Sequence, residues 1–208
     1  MLSRRQTLLT LAASGAVATP AAALVVTPSQ TAGPFYPDSM PRESDADLVR
    51  IAGGPPATGE EIVIEGRVLD PSGKPIPGAA VELWQANHFG RYAHFRDTSP
   101  ARLDPNFQGF GTVRSDGEGR YRFRTIRPGL YPGRTRHVHF RATGPGFESL
   151  TTQMYFEGEP GNARDGLLNA IRDPQRRAAL VASFSPNPQG FDTGRFDIVL
   201  GTRSQVAY

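Results

Sequence analysis

The sequence predicts an all-β fold, specifically an antiparallel β-sandwich. Three observations favour it: short apolar segments alternate with turn signals, glycine and proline are abundant at 23 and 19 residues, and only two segments have a helical pattern. With 208 residues and 38% hydrophobic side chains, the chain can form one domain with a buried core. We expect that domain over residues 24–208.

The strands are predicted from local patterning. Residues 120–124 alternate strictly, so Tyr121 and Phe123 are expected to point inward and three arginines outward. Turn residues fill 70–75 and 116–119, at the ends of such segments. The predicted strands are residues 61–69, 80–85, 120–124, 136–142, 150–156 and 195–200.

Little of the chain has a helical pattern. Two short helices are predicted at residues 163–171 and 175–182, separated by Asp173 and Pro174. Residues 38–57 are polar and interrupted by glycine and proline, which predicts an irregular N-terminal arm lying on the domain.

The charge pattern argues against nucleic-acid binding. The formal net charge is +3, and Arg4 and Arg5 at the extreme N-terminus account for much of it. The other basic residues are mostly arginines spread along the chain and not gathered into runs. We therefore expect no nucleic-acid partner.

The N-terminus has the pattern of an export signal. Arg4 and Arg5 precede an alanine-rich apolar stretch at residues 8–17, and alanines at 21–23 supply a small-residue cleavage site. The stretch is too short for a good membrane span. Residues 1–23 are therefore predicted to be a twin-arginine signal peptide, and the mature protein to be periplasmic or secreted, without a membrane association. The absence of cysteine agrees with an oxidising compartment.

A pair of histidines suggests a metal site. His137 and His139 are two residues apart in a predicted strand, so both imidazoles can face one point. The chain has four histidines and no cysteine, so further ligands must be oxygen donors, and Tyr92 and Tyr131 are the candidates. Two phenolates and two neutral imidazoles suit a ferric ion better than zinc or copper(I). A trivalent ion would lower the phenol pKa from its usual value of about 10.

An ordered set of motifs runs along the chain after the leader. The motifs are TAGPFYP at 31–37, GRV at 66–68, WQAN at 84–87, GRY at 90–92, LDPNF at 103–107, YRFRTIRPGLYP at 121–132, HVHF at 137–140 and TQMYF at 152–156. Together they resemble the intradiol ring-cleavage dioxygenases, and within them the protocatechuate 3,4-dioxygenase-like branch. The resemblance covers essentially all of the chain after the leader and implies a prealbumin-like sandwich core.

The resemblance also implies functional roles. It implies a Fe(III) cofactor, with Arg134 beside the bound ring and Gln153 close to the metal ligands. It implies that Tyr131 leaves the ion and takes up a proton when a catechol-type diol binds, and that dioxygen cleaves the ring to a cis,cis-muconate-type dicarboxylate. The implied setting is aromatic compound catabolism, with a protocatechuate-like substrate favoured. The implied metal ligands are Tyr92, Tyr131, His137 and His139.

Two points stay open at the level of sequence. Strand alternation places Arg134 and Arg136 on the face opposite to His137 and His139, so Arg134 reaches the site only if the backbone there is irregular. The family pairs its chains, so we expect a homo-oligomer, but protocatechuate enzymes use two kinds of chain and a second chain type is not excluded.

Two other functions are compatible with parts of the sequence. Residues 65–81 and 115–123 also resemble non-catalytic prealbumin-like modules of secreted proteins, which would bind no iron. A ferrous extradiol enzyme would need two histidines and one carboxylate, for which Glu148 and Glu157 are candidates.

Overall fold

The protein is described by a computed structural model that covers residues 23–202. The predicted signal peptide lies outside these residues, apart from its last residue. Two five-stranded sheets form the fold, which confirms the predicted all-β sandwich. In chain order the strands are β1 (Glu61–Leu69), β2 (Ala80–Trp84), β3 (Phe110–Arg114), β4 (Arg120–Ile126), β5 (His137–Thr143), β6 (Leu150–Phe156), β7 (Val181–Ala182), β8 (Phe184–Pro186), β9 (Asp192–Arg195) and β10 (Ile198–Val199).

The long strands pair antiparallel and the short C-terminal strands add parallel pairs. In the first sheet, β1 pairs antiparallel with β4 and parallel with β9 and β10, while β8 pairs with β9. The second sheet has the order β3-β2-β5-β6-β7, and its last pair is parallel. The sequence did not predict the parallel pairs, because each involves a strand of only two to four residues.

The core lies between the two sheets. On β4, Tyr121 and Phe123 are buried while Arg120 and Arg122 are exposed, as their alternation predicts. Across the core, the rings of Phe123 and Phe140 are 6.4 Å apart and join the first sheet to the second. Burial of such aromatic side chains supplies much of the stabilising free energy of a domain of this size.

Strand β5 is buried on both faces. Val138 and Phe140 pack in the core between the sheets. His137 and His139 point the other way but are also buried, at 3% exposure each. The opposite face of β5 is therefore covered by other parts of the chain, and the two histidines predicted as metal ligands lie under that cover.

The helices are shorter than predicted. A 3-10 helix covers Pro160–Arg164, α1 covers Gly166–Asn169 and α2 covers Pro174–Ala178. The predicted helix over 175–182 is wrong beyond α2, because Val181 and Ala182 pair with β6 instead and form β7. The Leu180 carbonyl accepts a hydrogen bond from the Tyr155 amide at 2.7 Å, in line with that pairing.

The last predicted strand is divided in two. Instead of a continuous strand over 195–200, β9 ends at Arg195 and β10 begins at Ile198. Between them, the Phe196 amide donates to the Glu65 carbonyl at 2.8 Å, and the Phe196 carbonyl accepts from the Tyr121 hydroxyl. Phe196 itself is buried in the core, which requires the chain to turn there.

The arm predicted over residues 38–57 is irregular, and residues 23–37 before it also lack helix and strand, so the N-terminal arm comprises residues 23–57. Within residues 38–57 the only strand-like pairing is an isolated bridge from Asp47 to Arg124 on β4. Leu48 and Val49 nevertheless have no exposed side-chain surface and belong to the core. Among residues 23–202, no helix has the length and apolar character needed to cross a membrane.

Replacing Phe123 by alanine is expected to lower the free energy of unfolding by about 3–5 kcal/mol, because the cavity left in the core cannot fully collapse. Phe95→Ala is the matched control, since Phe95 is 75% exposed and should change stability by about 0.5 kcal/mol or less. Urea unfolding followed by circular dichroism measures both. Equal losses in the two variants would contradict the described core.

Candidate metal centre

Four aromatic rings form a closed cycle around one point. The ring centroids are 5.9 Å apart for Tyr92 and Tyr131, 5.4 Å for Tyr131 and His137, 5.0 Å for His137 and His139, and 6.3 Å for His139 and Tyr92. The structure thus brings together all four residues named as ligand candidates, from a loop after β2, a turn before β5 and β5 itself.

The strand places the two histidines and orients the first. His137 and His139 share a face of β5 because they are two residues apart. His137 Nδ1 lies 2.7 Å from the Thr135 carbonyl, to which it donates as the neutral Nδ1–H tautomer. Its Nε2 lone pair then faces the Tyr131 hydroxyl at 3.0 Å.

Neighbouring strands and the arm hold the other rings. Trp84, opposite His139 on β2, stacks on its imidazole with centroids 5.0 Å apart and an interplanar angle of 11°. Phe35 of the N-terminal arm stacks on Tyr92 at 4.6 Å. A Cβ on Gly33 would lie 3.4 Å from the His139 ring, so the arm approaches the site closely at that point.

Two glycines allow the tyrosine-bearing segments to meet. The Gly129 amide donates to the Asn87 carbonyl at 2.9 Å, which joins the Tyr131 turn to the Tyr92 loop. A Cβ on Gly90 would lie 2.1 Å from the Leu130 carbonyl oxygen, and one on Gly129 would lie 2.3 Å from the Gly90 nitrogen. Side chains at either position would push the two phenols apart.

The oxygen and nitrogen atoms of the cycle fit a metal ion. The Tyr92 hydroxyl is buried and makes no well-formed hydrogen bond with any atom of residues 23–202. An orphaned buried hydroxyl is costly unless it has a partner that the protein itself does not supply. A cation among the four rings would be such a partner, and the donor set of two phenols and two imidazoles suits a ferric ion.

Electrostatics keep all four groups neutral when no cation is bound. Burial, and then the charge of Arg134, lower the pKa of His137 to about 4. Burial, His137 and Arg134 lower the pKa of His139 well below its usual value. Both imidazoles are therefore free of the protons that would block metal binding at neutral pH.

The phenols are shifted in the opposite direction. Burial and the neighbouring Tyr131 raise the pKa of Tyr92 well above its usual value. Burial also raises the pKa of Tyr131, although Arg134 opposes it. A bound cation would reverse these shifts, because a positive charge favours the phenolate.

Arg134 reaches the site because it precedes the strand. A turn at Pro132 and Gly133 and irregular backbone up to Arg136 break the alternation that β5 begins at His137. The Arg134 NH2 donates to Gln153 Oε1 at 2.6 Å, and its NH1 lies 3.4 Å from His137 Nε2.

Arg136 is directed elsewhere. Its guanidinium donates to the Pro128 carbonyl and pairs with Glu159 at 2.8 Å. Of the two arginines, Arg134 therefore lies beside the four rings and Arg136 does not.

The sequence did not reveal two further residues that bind the Arg134 side chain. Tyr155 on β6 accepts from the Arg134 NH2 at 3.2 Å and donates to Gln30 at 2.9 Å. Asp165 accepts from Arg134 Nε at 2.8 Å. The sequence signal at Asp165 is that of a helix N-cap, which does not indicate an arginine 31 residues earlier.

The remaining histidines and the carboxylates considered for an extradiol site lie elsewhere. His94 Nε2 is 3.3 Å from Asp38, and His88 packs edge-on against Phe89. Glu148 precedes β6 and Glu157 follows it. Within residues 23–202, no three histidine, cysteine, aspartate or glutamate side chains group in a way that could hold a metal ion.

Comparison with known proteins decides the family. A family model described as Dioxygenase matches residues 31–202. The chain is 44% identical over 177 residues to the protocatechuate 3,4-dioxygenase beta chain of Burkholderia cepacia, covering 80% of this chain and 74% of that one. The chain belongs to the intradiol ring-cleavage dioxygenase family. The family predicted from the sequence motifs is therefore confirmed, and its characterised members are enzymes.

Two further comparisons support the same family. Catechol 1,2-dioxygenase 2 of Acinetobacter lwoffii is 34% identical over 178 residues, covering 74% of this chain and 62% of that enzyme. The dioxygenase domain of a dioxygenase carbohydrate-binding protein fusion from Streptomyces sp. SirexAA-E superimposes with a TM-score of 0.67 at 34% identity, covering 86% of this chain and 99% of that domain. The fold and the family thus agree.

Gly90→Ala is expected to destabilise the protein by more than the about 1–2 kcal/mol that a left-handed backbone costs alanine, because its Cβ would also collide with Leu130. Gly78→Ala is the control: its φ of +70° is close to the +79° of Gly90, but nothing lies within 4 Å of its Cβ. Thermal unfolding of both variants checks this. A Gly90 variant no less stable than the Gly78 variant would refute the close approach of the two loops.

The pH dependence of stability should report the buried carboxylate of Asp165. Burial alone would raise its pKa, but hydrogen bonds from Arg134, Leu168 and Thr135 outweigh burial and lower it. A lowered folded-state pKa stabilises the protein above the unfolded value of about 3.9, and this contribution disappears as the pH falls through the folded-state pKa.

The expected result is that Asp165→Asn lowers the free energy of unfolding at pH 7 and that its difference from the wild type shrinks below about pH 4. Urea unfolding at neutral and acid pH measures this difference. If the difference in unfolding free energy between the wild type and Asp165→Asn stayed constant or increased in acid, the carboxylate would not be held in its charged form.

Proposed function

We propose that the protein is a ferric-iron-dependent intradiol dioxygenase that cleaves a catechol-type diol with dioxygen to a cis,cis-muconate-type dicarboxylate. The observation that carries this proposal is the cycle of two phenols and two neutral imidazoles, with the buried Tyr92 hydroxyl left unpaired. Family membership supports it, because relatives of the chain are named as protocatechuate and catechol dioxygenases.

The residues that would hold the iron are those of the cycle, and they are Tyr92, Tyr131, His137 through Nε2, and His139. When bound there, a ferric ion would supply Lewis-acid activation of the diol toward dioxygen, without an external reductant.

Tyr131 is the ring best placed to exchange a proton with an arriving diol. It lies in a turn and is partly exposed, whereas Tyr92, His137 and His139 are each 3% exposed. Its hydroxyl already makes a hydrogen bond within the site, to His137 Nε2. If a bound cation held Tyr131 as the phenolate, its oxygen could take up a diol hydroxyl proton without opening the buried side of the centre.

Arg134 and Gln153 would act on the bound ring and its surroundings. The Arg134 guanidinium would stabilise negative charge on the substrate, and a fixed charge in a site shielded from water is an effective means of doing so. Gln153 accepts from Arg134 and donates to the Thr31 carbonyl at 3.0 Å, which ties the arm to the arginine.

We favour a protocatechuate-like substrate, because the Burkholderia relative is named as a protocatechuate enzyme and shares 44% identity. The beta-chain name of that relative also indicates assembly with another chain. For this protein we propose a homo-oligomer, with a second chain type as the alternative that a mass measurement of the assembly distinguishes. The proposed setting is aromatic catabolism after export directed by residues 1–23.

The visible spectrum of the iron-replete protein tests the proposed function. We expect a broad tyrosinate-to-iron charge-transfer band, which shifts when protocatechuate or catechol is added without oxygen; the larger shift identifies the preferred diol. Tyr92→Phe and Tyr131→Phe should each weaken or move the band, because each removes a phenolate ligand.

Tyr121→Phe is the control for these substitutions, since Tyr121 is a buried tyrosine of the core whose hydroxyl bonds to the Phe196 carbonyl. Its band should match the wild type. A colourless protein with confirmed iron loading would overturn the ferric site. A protein that binds no iron would instead favour the non-catalytic sandwich module.

A further inference from the structure

Asp165 is a buried carboxylate with all of its hydrogen-bonding capacity in use. It is 1% exposed. Its Oδ2 accepts from Arg134 Nε at 2.8 Å and from the Thr135 amide at 3.1 Å. Its Oδ1 accepts from the Leu167 and Leu168 amides at 3.1 and 3.0 Å. One side chain therefore joins the start of α1 to the segment that precedes β5.

The Arg134 guanidinium is held at two of its three nitrogens. Nε is paired with Asp165, and NH2 bonds to Gln153 and to Tyr155. NH1 points toward the cycle of four rings, 3.4 Å from His137 Nε2. With Nε and NH2 fixed, the planar guanidinium has little freedom to turn NH1 away from the site.

Arg134 needs such an anchor because no regular structure orients it. It lies in the irregular segment between the turn at Pro132 and the start of β5, so strand alternation does not direct its side chain. The carboxylate of Asp165 fixes both the Arg134 side chain and, through the Thr135 amide, the backbone next to it. Charge-assisted bonds of this kind are shorter and stronger than neutral ones.

We propose that Asp165 is a positioning residue for the intradiol reaction: it holds the Arg134 guanidinium so that NH1 faces the ring-cleavage site. This inference rests on the function proposed above. Asp165 acts through Arg134 and does not itself touch the substrate.

Helix capping alone does not account for this arrangement. Asp173 caps α2 in the same manner, accepting from the Gln175 and Arg176 amides at 2.8 and 3.2 Å, yet it is exposed and binds none of the arginine side chains that the structure describes. Capping a short helix in this protein therefore requires neither burial nor an ion pair. Asp173 provides the matched control for Asp165.

The first measurement uses the iron-free protein. The Nε–H proton of Arg134, identified in ¹H–¹⁵N spectra by its loss in Arg134→Gln, should be sharp and slow to exchange in the wild type and in Asp173→Asn. In Asp165→Asn and in Asp165→Ser, which keeps a capping oxygen but cannot reach the arginine, that signal should broaden or exchange at least about tenfold faster. An unchanged signal in both Asp165 variants would overturn the proposal.

The second measurement is turnover per bound iron with protocatechuate and catechol. Asp165→Asn should lower kcat at least about tenfold, while the Kd for the diol measured without oxygen changes less than about threefold; Asp173→Asn should change neither. In an Arg134→Gln background, Asp165→Asn should cause no further loss, because the two residues act as one unit.

Loss of stability or iron content with wild-type turnover per bound iron would show a merely structural role and refute the proposal, as would additive losses in the double variant. A wild-type protein that binds no iron or cleaves no diol would overturn the proposed function and this inference with it. The exchange measurement would then still report whether Asp165 orders Arg134, so the two failures are distinguishable.

Discussion

The register of β5 is the constraint on which both the core and the site depend. Val138 and Phe140 face the core, and His137 and His139 face the opposite side, where they are equally buried. A shift of the strand by one residue would exchange the imidazoles for apolar side chains. Pairing with β2 and β6 fixes this register over at least five residues on each side, so the sandwich itself specifies where the two imidazoles lie.

Burying the polar groups of the four rings costs desolvation free energy, and the arrangement of the rings limits this cost. The histidines are neutral, which avoids the larger penalty of burying a charge, and the phenols are held protonated by the same burial. The positive charge nearby belongs to Arg134, and it is balanced by Asp165 and spread over several hydrogen bonds. Two buried polar atoms of these rings have no hydrogen-bond partner among residues 23–202, the Tyr92 hydroxyl and His139 Nδ1, and a cation among the rings would satisfy the first. The energetics and the chemistry proposed for the site thus point to the same place.

Local features that follow from periodicity and motif spacing were predicted correctly from the sequence. Features that depend on contacts between segments distant in the chain were not. Alternation placed Tyr121 and Phe123 correctly, and two-residue spacing placed His137 and His139 on one face. Alternation alone misdirected Arg134, since only the fold shows that β5 begins after it. The predicted helix over 175–182 was too long, because pairing with β6 is a tertiary contact that local propensity does not contain. The link from Asp165 to Arg134 is of the same kind.

The site combines a rigid half with a half that can adjust. Two histidines stand on a central strand and are packed against Trp84 and the arm, so their positions follow from the sheet. The two phenols stand on loops, and their separation depends on backbone contact at Gly90 and Gly129. Of these, Tyr92 is buried beneath Phe35, while Tyr131 is partly open to solvent. In the proposed reaction, the tyrosine that would exchange a proton with an arriving diol is best placed on a loop near the surface, and Tyr131 meets both conditions.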